Sequence, residues 1–163
     1  MSTVASLVVG RDGSTSKGNS SNGVSSDADR TAFLMRRRKV DCILIGGNTA
    51  RHEPYKQTPV PLVILSRSHI NPVAGNDMSH LWNVSPAQAL IKAKEQFGEK
   101  ILVEAGTSII IELIDQGLID QLDLSVTSVT GGDHRVDWQE LLKKFAHHTQ
   151  TTVDDTDFYC ATN

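Results

Sequence analysis

Apolar residues fall in short blocks along this chain, and the blocks predict strands. Residues 4–9 (VASLVV) are nearly all apolar, too short for a helix and suited to a strand buried on both faces. Residues 41–45, 62–65, 101–103 and 121–126 repeat that character. Between them the period changes to that of helices. Ser26 to Asp29 reads as a capping box opening a helix to Arg38, with Ala28, Thr31, Ala32 and Met35 as its apolar face. Ser85-Pro86 opens a second helix, which Gly98 stops. Thr107 or Ser108 is placed to cap a third, ending at Gly117, and Asp137 a short fourth through Phe145. Residues 147–153 and 157–161 alternate and are joined by a turn, which is a hairpin. Residues 70–84 show no period, so His69, Met78, His80 and Trp82 are read as loop residues. The pattern predicts one α/β domain over residues 1–163: a mainly parallel sheet flanked by helices, with an antiparallel C-terminal hairpin.

Two corners stand out. Val103-Glu104-Ala105-Gly106-Thr107-Ser108 and Gly46-Gly47-Asn48-Thr49 each turn a strand through glycine into a helix. Such a corner aims free backbone N–H groups and the positive end of a helix dipole at one point, where phosphate binds. A plain structural corner explains a single glycine turn as well. Two corners in one domain can hold two phosphates of one ligand. Ser66-Arg67-Ser68, just past a strand, suits a 2′-phosphate, and a solvated turn explains it equally. Residues 10–23 form a loop rich in glycine, serine and asparagine at the carboxyl end of the first strand, where ligands of α/β sheets bind.

Composition narrows the classes. Hydrophobic residues make up 39% and the net charge is −3, as in an ordinary globular protein. The basic run Arg36-Arg37-Arg38-Lys39 is short and sits where a helix dipole favours cations, so no nucleic-acid binding is expected. One arginine of the four can still turn to an anion. No long apolar segment or signal peptide is read, which predicts a cytoplasmic protein without membrane contact. Cys42 and Cys160 fall inside strands and are expected as reduced thiols, and no metal-ligand spacing occurs.

With these motifs in place, the chain resembles the reductase domain of the bifunctional riboflavin-biosynthesis deaminase/reductase, a relative of dihydrofolate reductase. The likeness runs over residues 6–132. It is carried by Val103-Glu-Ala-Gly through Gly117-Leu-Ile-Asp120, by Gly10-Arg-Asp-Gly13 and by Gly46-Gly-Asn-Thr-Ala-Arg51. The resemblance implies a dihydrofolate-reductase-like fold, NADPH as cofactor, a homodimer, and a stand-alone reductase without the deaminase half. It implies hydride transfer to a ribosylamino-pyrimidine, 5-amino-6-(5-phosphoribosylamino)uracil, or a related heterocycle. Gly106, Thr107 and Ser108 then take the pyrophosphate, Thr49 and Glu53 line the cofactor, Arg67 and Ser68 reach the adenosine phosphate, and Asn22 stands where the family has a tryptophan. Ser20, Arg36 and Glu104 fall at substrate positions. Glu104 would anchor the pyrimidine's N–H groups or assist proton transfer, and Asp12 would orient the loop or the nicotinamide. The segment from Asp123 to Thr130 is the expected dimer edge; the alternative is a monomer whose edge the hairpin protects.

The chain departs from the family at Ser6, where a lysine is usual, and at His52-Glu53-Pro54-Tyr55, which lacks the arginine that holds a substrate phosphate. A true dihydrofolate reductase is disfavoured, because capping accounts for Asp27 and Asp29 and the loop has no tryptophan. A non-catalytic NADP(H)-binding or dimer-forming protein on the same fold is the alternative.

Overall fold

The computed structural model describes residues 3–163. In chain order the elements are β1 (Thr3–Gly10), β2 (Ser14–Ser16), α1 (Asp27–Arg37), β3 (Cys42–Gly46), α2 (Gly47–His52), β4 (Leu62–Leu65), β5 (Ser79–Trp82), α3 (Pro86–Phe97), β6 (Ile101–Val103), α4 (Thr107–Asp115), β7 (Gln121–Thr127), β8 (Asp133–Arg135), α5 (Trp138–Leu142), β9 (His147–Val153) and β10 (Thr156–Thr162). Eight strands form one sheet in the order β5-β4-β3-β6-β1-β7-β10-β9, and β2 pairs with β8 in a small second sheet. The pairs from β5 to β7 are parallel, and β7–β10 and β10–β9 are antiparallel. This is the dihydrofolate-reductase-like α/β architecture with its terminal antiparallel hairpin.

Apolar alternation divides the core between the two faces of the sheet. Cys42 and Leu44 of β3 pack with Ala89, Leu90, Ile110 and Leu113 of the helices on one face. Ile43 and Ile45 pack with Ala50, Tyr55 and Val73 on the other. Parallel strands covered on both sides require such continuous apolar runs. Burial pushes the Cys42 thiol up to about 12, and both cysteines are free. No described helix is long and apolar enough to cross a membrane.

Four features differ from the sequence-based expectations. Residues 79–82 form β5, an edge strand, and Trp82 is buried with its ring stacked on Phe97 at 6.1 Å. Four residues are too few for a period of two to show. Helix α1 does not bury the expected stripe: Thr31 and Met35 are exposed, and its buried residues are Asp29 and Arg37. Neither core cluster includes a residue of α1, so this helix is placed by something other than an apolar face. No side chain caps α4, whose N-cap is Gly106. Finally, the segment from Asp123 to Thr130 is not an edge, because β7 is paired on both sides; the edges are β5 and β9. All seven residues of β9 are exposed.

Candidate active site

The chain leaves β1 for α1 and β3 on one side, and after β6 it crosses to β7 on the other. Ligands of open α/β sheets bind outside the carboxyl ends of the strands at such a reversal. A cavity of about 630 Å³ lies there, lined by residues from β1, α1, α2 and α4 and by the turn that follows β6. Its size is that of a cofactor or small-ligand site.

The two glycine corners end neighbouring strands, since β3 and β6 pair directly. The N-caps of α2 and α4 are Gly46 and Gly106, and neither helix has a side-chain cap. The side chains of Ser26, Ser85 and Asp137 cap α1, α3 and α5. The uncapped helix starts are therefore the two that open together on the cavity, with their first N–H groups unpaired within the helix. Backbone strain does not account for the glycines. Gly46 has φ −89° and Gly106 φ −60°, values open to any residue. A Cβ on Gly106 would meet no atom within 4 Å.

Opposite the corners, α1 presents Asp29, Phe33 and Arg37 to the cavity. They are spaced four apart and so share one helix face. Arg37 donates from Nε and Nη2 to the two oxygens of Glu104, at 3.0 and 2.8 Å, and the Tyr55 hydroxyl donates to Glu104 Oε2 at 2.6 Å. The guanidinium lies over the Phe33 and Tyr55 rings, 4.3 and 4.8 Å from their centroids. Burial opposes the charge on Arg37, but the hydrogen bonds and charge of Glu104 outweigh it and hold its pKa above the ordinary value. Burial, and then the charge of Glu104, push the Tyr55 hydroxyl well above its usual range, so it stays a donor. The arginine of the basic run that meets an anion inside the cavity is Arg37. Arg36 lies 100° round the helix, donates to Ser6 at 2.8 Å and pairs with Asp123 at 3.3 Å.

A flap covers one side of the cavity. Thr15 and Ser16 of β2 and His134 of β8 belong to the lining, and pairing of β2 with β8 brings them together. Asp12 secures the flap from beneath. Its carboxylate accepts from the Ser14 hydroxyl at 2.6 Å and from the Gly131 N–H at 2.8 Å, and it pairs with Arg135 at 3.2 Å. The Ser14 hydroxyl, then the Gly131 amide, lower its pKa from 3.8 to about 2. A carboxyl depressed on folding stabilises the native state above its unfolded pKa and ceases to do so as pH falls through the folded value. Asp12→Asn should therefore lower the melting temperature at about pH 7 and make a shrinking difference as pH falls from roughly 4 towards 2. Thermal melts across that range test it; an equal loss throughout would mean that the charge of Asp12 does not hold the flap.

The predicted site residues divide in two. Ser20, Thr49, Glu53, Glu104, Gly106, Thr107 and Ser108 line the cavity. Ser20 and Glu53 also meet each other: the Ser20 hydroxyl and the Ser21 N–H donate to the Glu53 carboxylate at 3.2 and 2.7 Å, tying the loop after β1 to the end of α2. Asp12, Asn22, Arg36, Arg67 and Ser68 are not part of the lining. Asn22 is exposed in a 3-10 turn, and Arg67 and Ser68 are exposed beyond β4, beside the second corner. Sequence reading passed over Asp29, Phe33, Arg37 and Tyr55. The spacing of four in Asp29, Phe33 and Arg37 was the available signal, masked by taking Asp29 for a cap residue. The Asp29 N–H does bond the Ser26 hydroxyl, but its carboxylate accepts from Ser25.

The profile of the RibD C-terminal domain matches residues 3–156. The chain belongs to the RibD C-terminal domain family. The fold agrees with that membership. A putative riboflavin biosynthesis protein of Shewanella sp. PV-4 is 14% identical with a TM-score of 0.69, over 99% of this chain and 98% of its own. A pyrimidine reductase-like protein of Corynebacterium diphtheriae is also 14% identical at TM-score 0.69, covering 98% of this chain and 90% of its own. Dihydrofolate reductase from Enterococcus faecalis, solved with NADP(H) and RAB-propyl, is 14% identical at TM-score 0.68, covering 98% and 95%. No curated protein matches the chain. In this RibD C-terminal domain the Val-Glu-Ala-Gly segment supplies both the buried carboxylate and the open helix start of the cavity.

Proposed function

We propose that this protein is an NADP(H)-dependent reductase that passes a hydride to a small heterocyclic substrate, with a ribosylamino-pyrimidine of riboflavin biosynthesis as first candidate. The observation that carries this reading is the pair of uncapped glycine helix starts, side by side on neighbouring strands and open to one cavity. Such donors suit a pyrophosphate. In the proposal Gly106, Thr107 and Ser108 hold the pyrophosphate, Thr49 and Glu53 line the cofactor, and Arg67 with Ser68 reach the adenosine phosphate. Asn22 borders the cofactor from the loop. Bound NADPH supplies the hydride.

The chain's own residues then align the substrate and exclude water. Ser20 and Arg37 contact the substrate, and Arg36 steadies that end through Ser6. Three hydrogen bonds to Arg37 and Tyr55 occupy Glu104, so it acts by holding Arg37 in place rather than by moving a proton. Asp12 keeps the flap over the reacting groups. We also propose a cytoplasmic homodimer, for which β9 offers the exposed edge.

Calorimetric titration with NADPH and with NADH tests the reading. NADPH should bind about tenfold or more tightly than NADH, because charge-assisted hydrogen bonds to a 2′-phosphate contribute roughly 1.5–3 kcal/mol each. Arg67→Ala should remove the difference. Binding of neither dinucleotide would overturn the proposal.

A further inference from the structure

The cavity lining holds three carboxylates, Asp29, Glu53 and Glu104, against two arginines, Arg30 and Arg37. Arg37 is neutralised by Glu104. Arg30 is exposed, 5.7 Å from the Phe33 centroid, so water and salt screen it. Asp29 and Glu53 are in no ion pair with another described residue. Asp29 stands in the first turn of α1, where the helix dipole offsets part of its charge. Glu53 stands at the opposite kind of end. It is the C-cap of α2, where the dipole is negative, so helix and carboxylate add. Its donors are neutral, the Ser20 hydroxyl and the Ser21 N–H. An amide oxygen would accept from both as well, so tying the loop to α2 does not require a charge. NADPH, in the reading above, brings its pyrophosphate and 2′-phosphate into this same cavity. A further phosphate there would meet Glu53 and the cofactor, with the buried arginine already neutralised.

We infer that this cavity takes a ribosyl-pyrimidine without a phosphate, and that the charge of Glu53 rejects the 5′-phosphate ester. The substrate side then selects by charge at the ribose end, while Ser20, held against Glu53, remains a neutral partner for a ribose hydroxyl. The inference deepens the reading above: it rests on NADPH occupying the two corners and on Ser20 facing the substrate.

Uridine and uridine 5′-monophosphate share base and ribose and differ by the phosphate alone, and they are the probes. Each is titrated into the full chain, alone and saturated with NADPH, with binding followed by ligand-observed NMR. At about 0.01 M salt, where the screening length is about 30 Å, uridine should bind roughly tenfold more tightly than its phosphate. The ratio should grow when NADPH is bound and shrink at about 1 M salt, where that length is about 3 Å. Glu53→Gln keeps an oxygen for Ser20 and Ser21; it should raise the affinity for the phosphate roughly threefold or more and leave that for uridine unchanged. A phosphate bound as tightly as uridine, a ratio that does not move with salt, a ratio unchanged in Glu53→Gln, or no saturable binding of uridine would overturn the inference. The wild-type salt series decides even if the variant does not fold. NADPH binding without a preference for uridine sinks this inference alone; the preference without NADPH binding sinks the reductase reading and leaves the charge selection by Glu53 standing.

Discussion

Gly106→Val should leave the protein folded and abolish NADPH binding. The backbone at Gly106, φ −60° and ψ 162°, is open to valine, and a Cβ there meets no atom within 4 Å. The side chain would project into open space at the lip of the cavity, beside the start of α4, where the proposed pyrophosphate lies. Two charge-assisted hydrogen bonds lost at roughly 1.5–3 kcal/mol each correspond to about a hundredfold or greater loss of affinity. The stability cost should be small, a fraction of the roughly 1 kcal/mol that separates good and poor N-cap residues. Gly117, at the other end of the same helix, is the control. Its φ of 69° demands glycine, so Gly117→Val should lower the melting temperature and spare NADPH affinity. Unchanged NADPH affinity in folded Gly106→Val would remove α4 from the cofactor site.

Glu104→Ala should destabilise the protein by about 3–5 kcal/mol, because removing one partner of a buried ion pair strands the other. Arg37 is 8% exposed and the Glu104 side chain 2%. The Tyr55 hydroxyl loses its acceptor in the same step. In a chain of this length the melting temperature should fall on the order of 10 °C. Glu104→Gln keeps the shape and one acceptor oxygen, so it should lose less stability, bind NADPH normally and turn over poorly. The triple variant Arg37→Met, Glu104→Leu and Tyr55→Phe, which also removes the stranded hydroxyl, should recover most of the stability, since apolar groups of similar volume often replace a buried ion pair without loss. It should not recover turnover. A melting temperature unchanged in Glu104→Ala would mean that the pair does not hold this end of the cavity together.

Local patterns in the sequence determined β1, β3, β4, β6 and β7, the helices, the terminal hairpin and both glycine corners, but not the short strands β2, β5 and β8. Each depends on a short-range rule: continuous apolar runs for β3, β4 and β6, a capping box at Ser85, and glycine where a strand turns into a helix. The family resemblance, carried in part by the two corners, marked Thr49, Gly106, Thr107 and Ser108, and all four line the cavity. Only the tertiary structure decided what those corners face. Strand order puts β3 beside β6, 59 positions apart in the chain at Cys42 and Ile101, and so sets the corners next to each other. Pairing of β2 with β8 carries His134 to Thr15, and no local rule encodes a contact across 119 residues. The rotation of α1 was also beyond local reading. Apolar periodicity points a helix at a core, but α1 faces a cavity, so its inward side is Asp29, Phe33 and Arg37 rather than Thr31 and Met35. Asp123 likewise reads as part of an exposed edge until β10 folds back against β7 and closes it. Residue type and spacing carry local geometry, whereas the partner of a buried charge depends on which distant strand or helix the fold brings beside it.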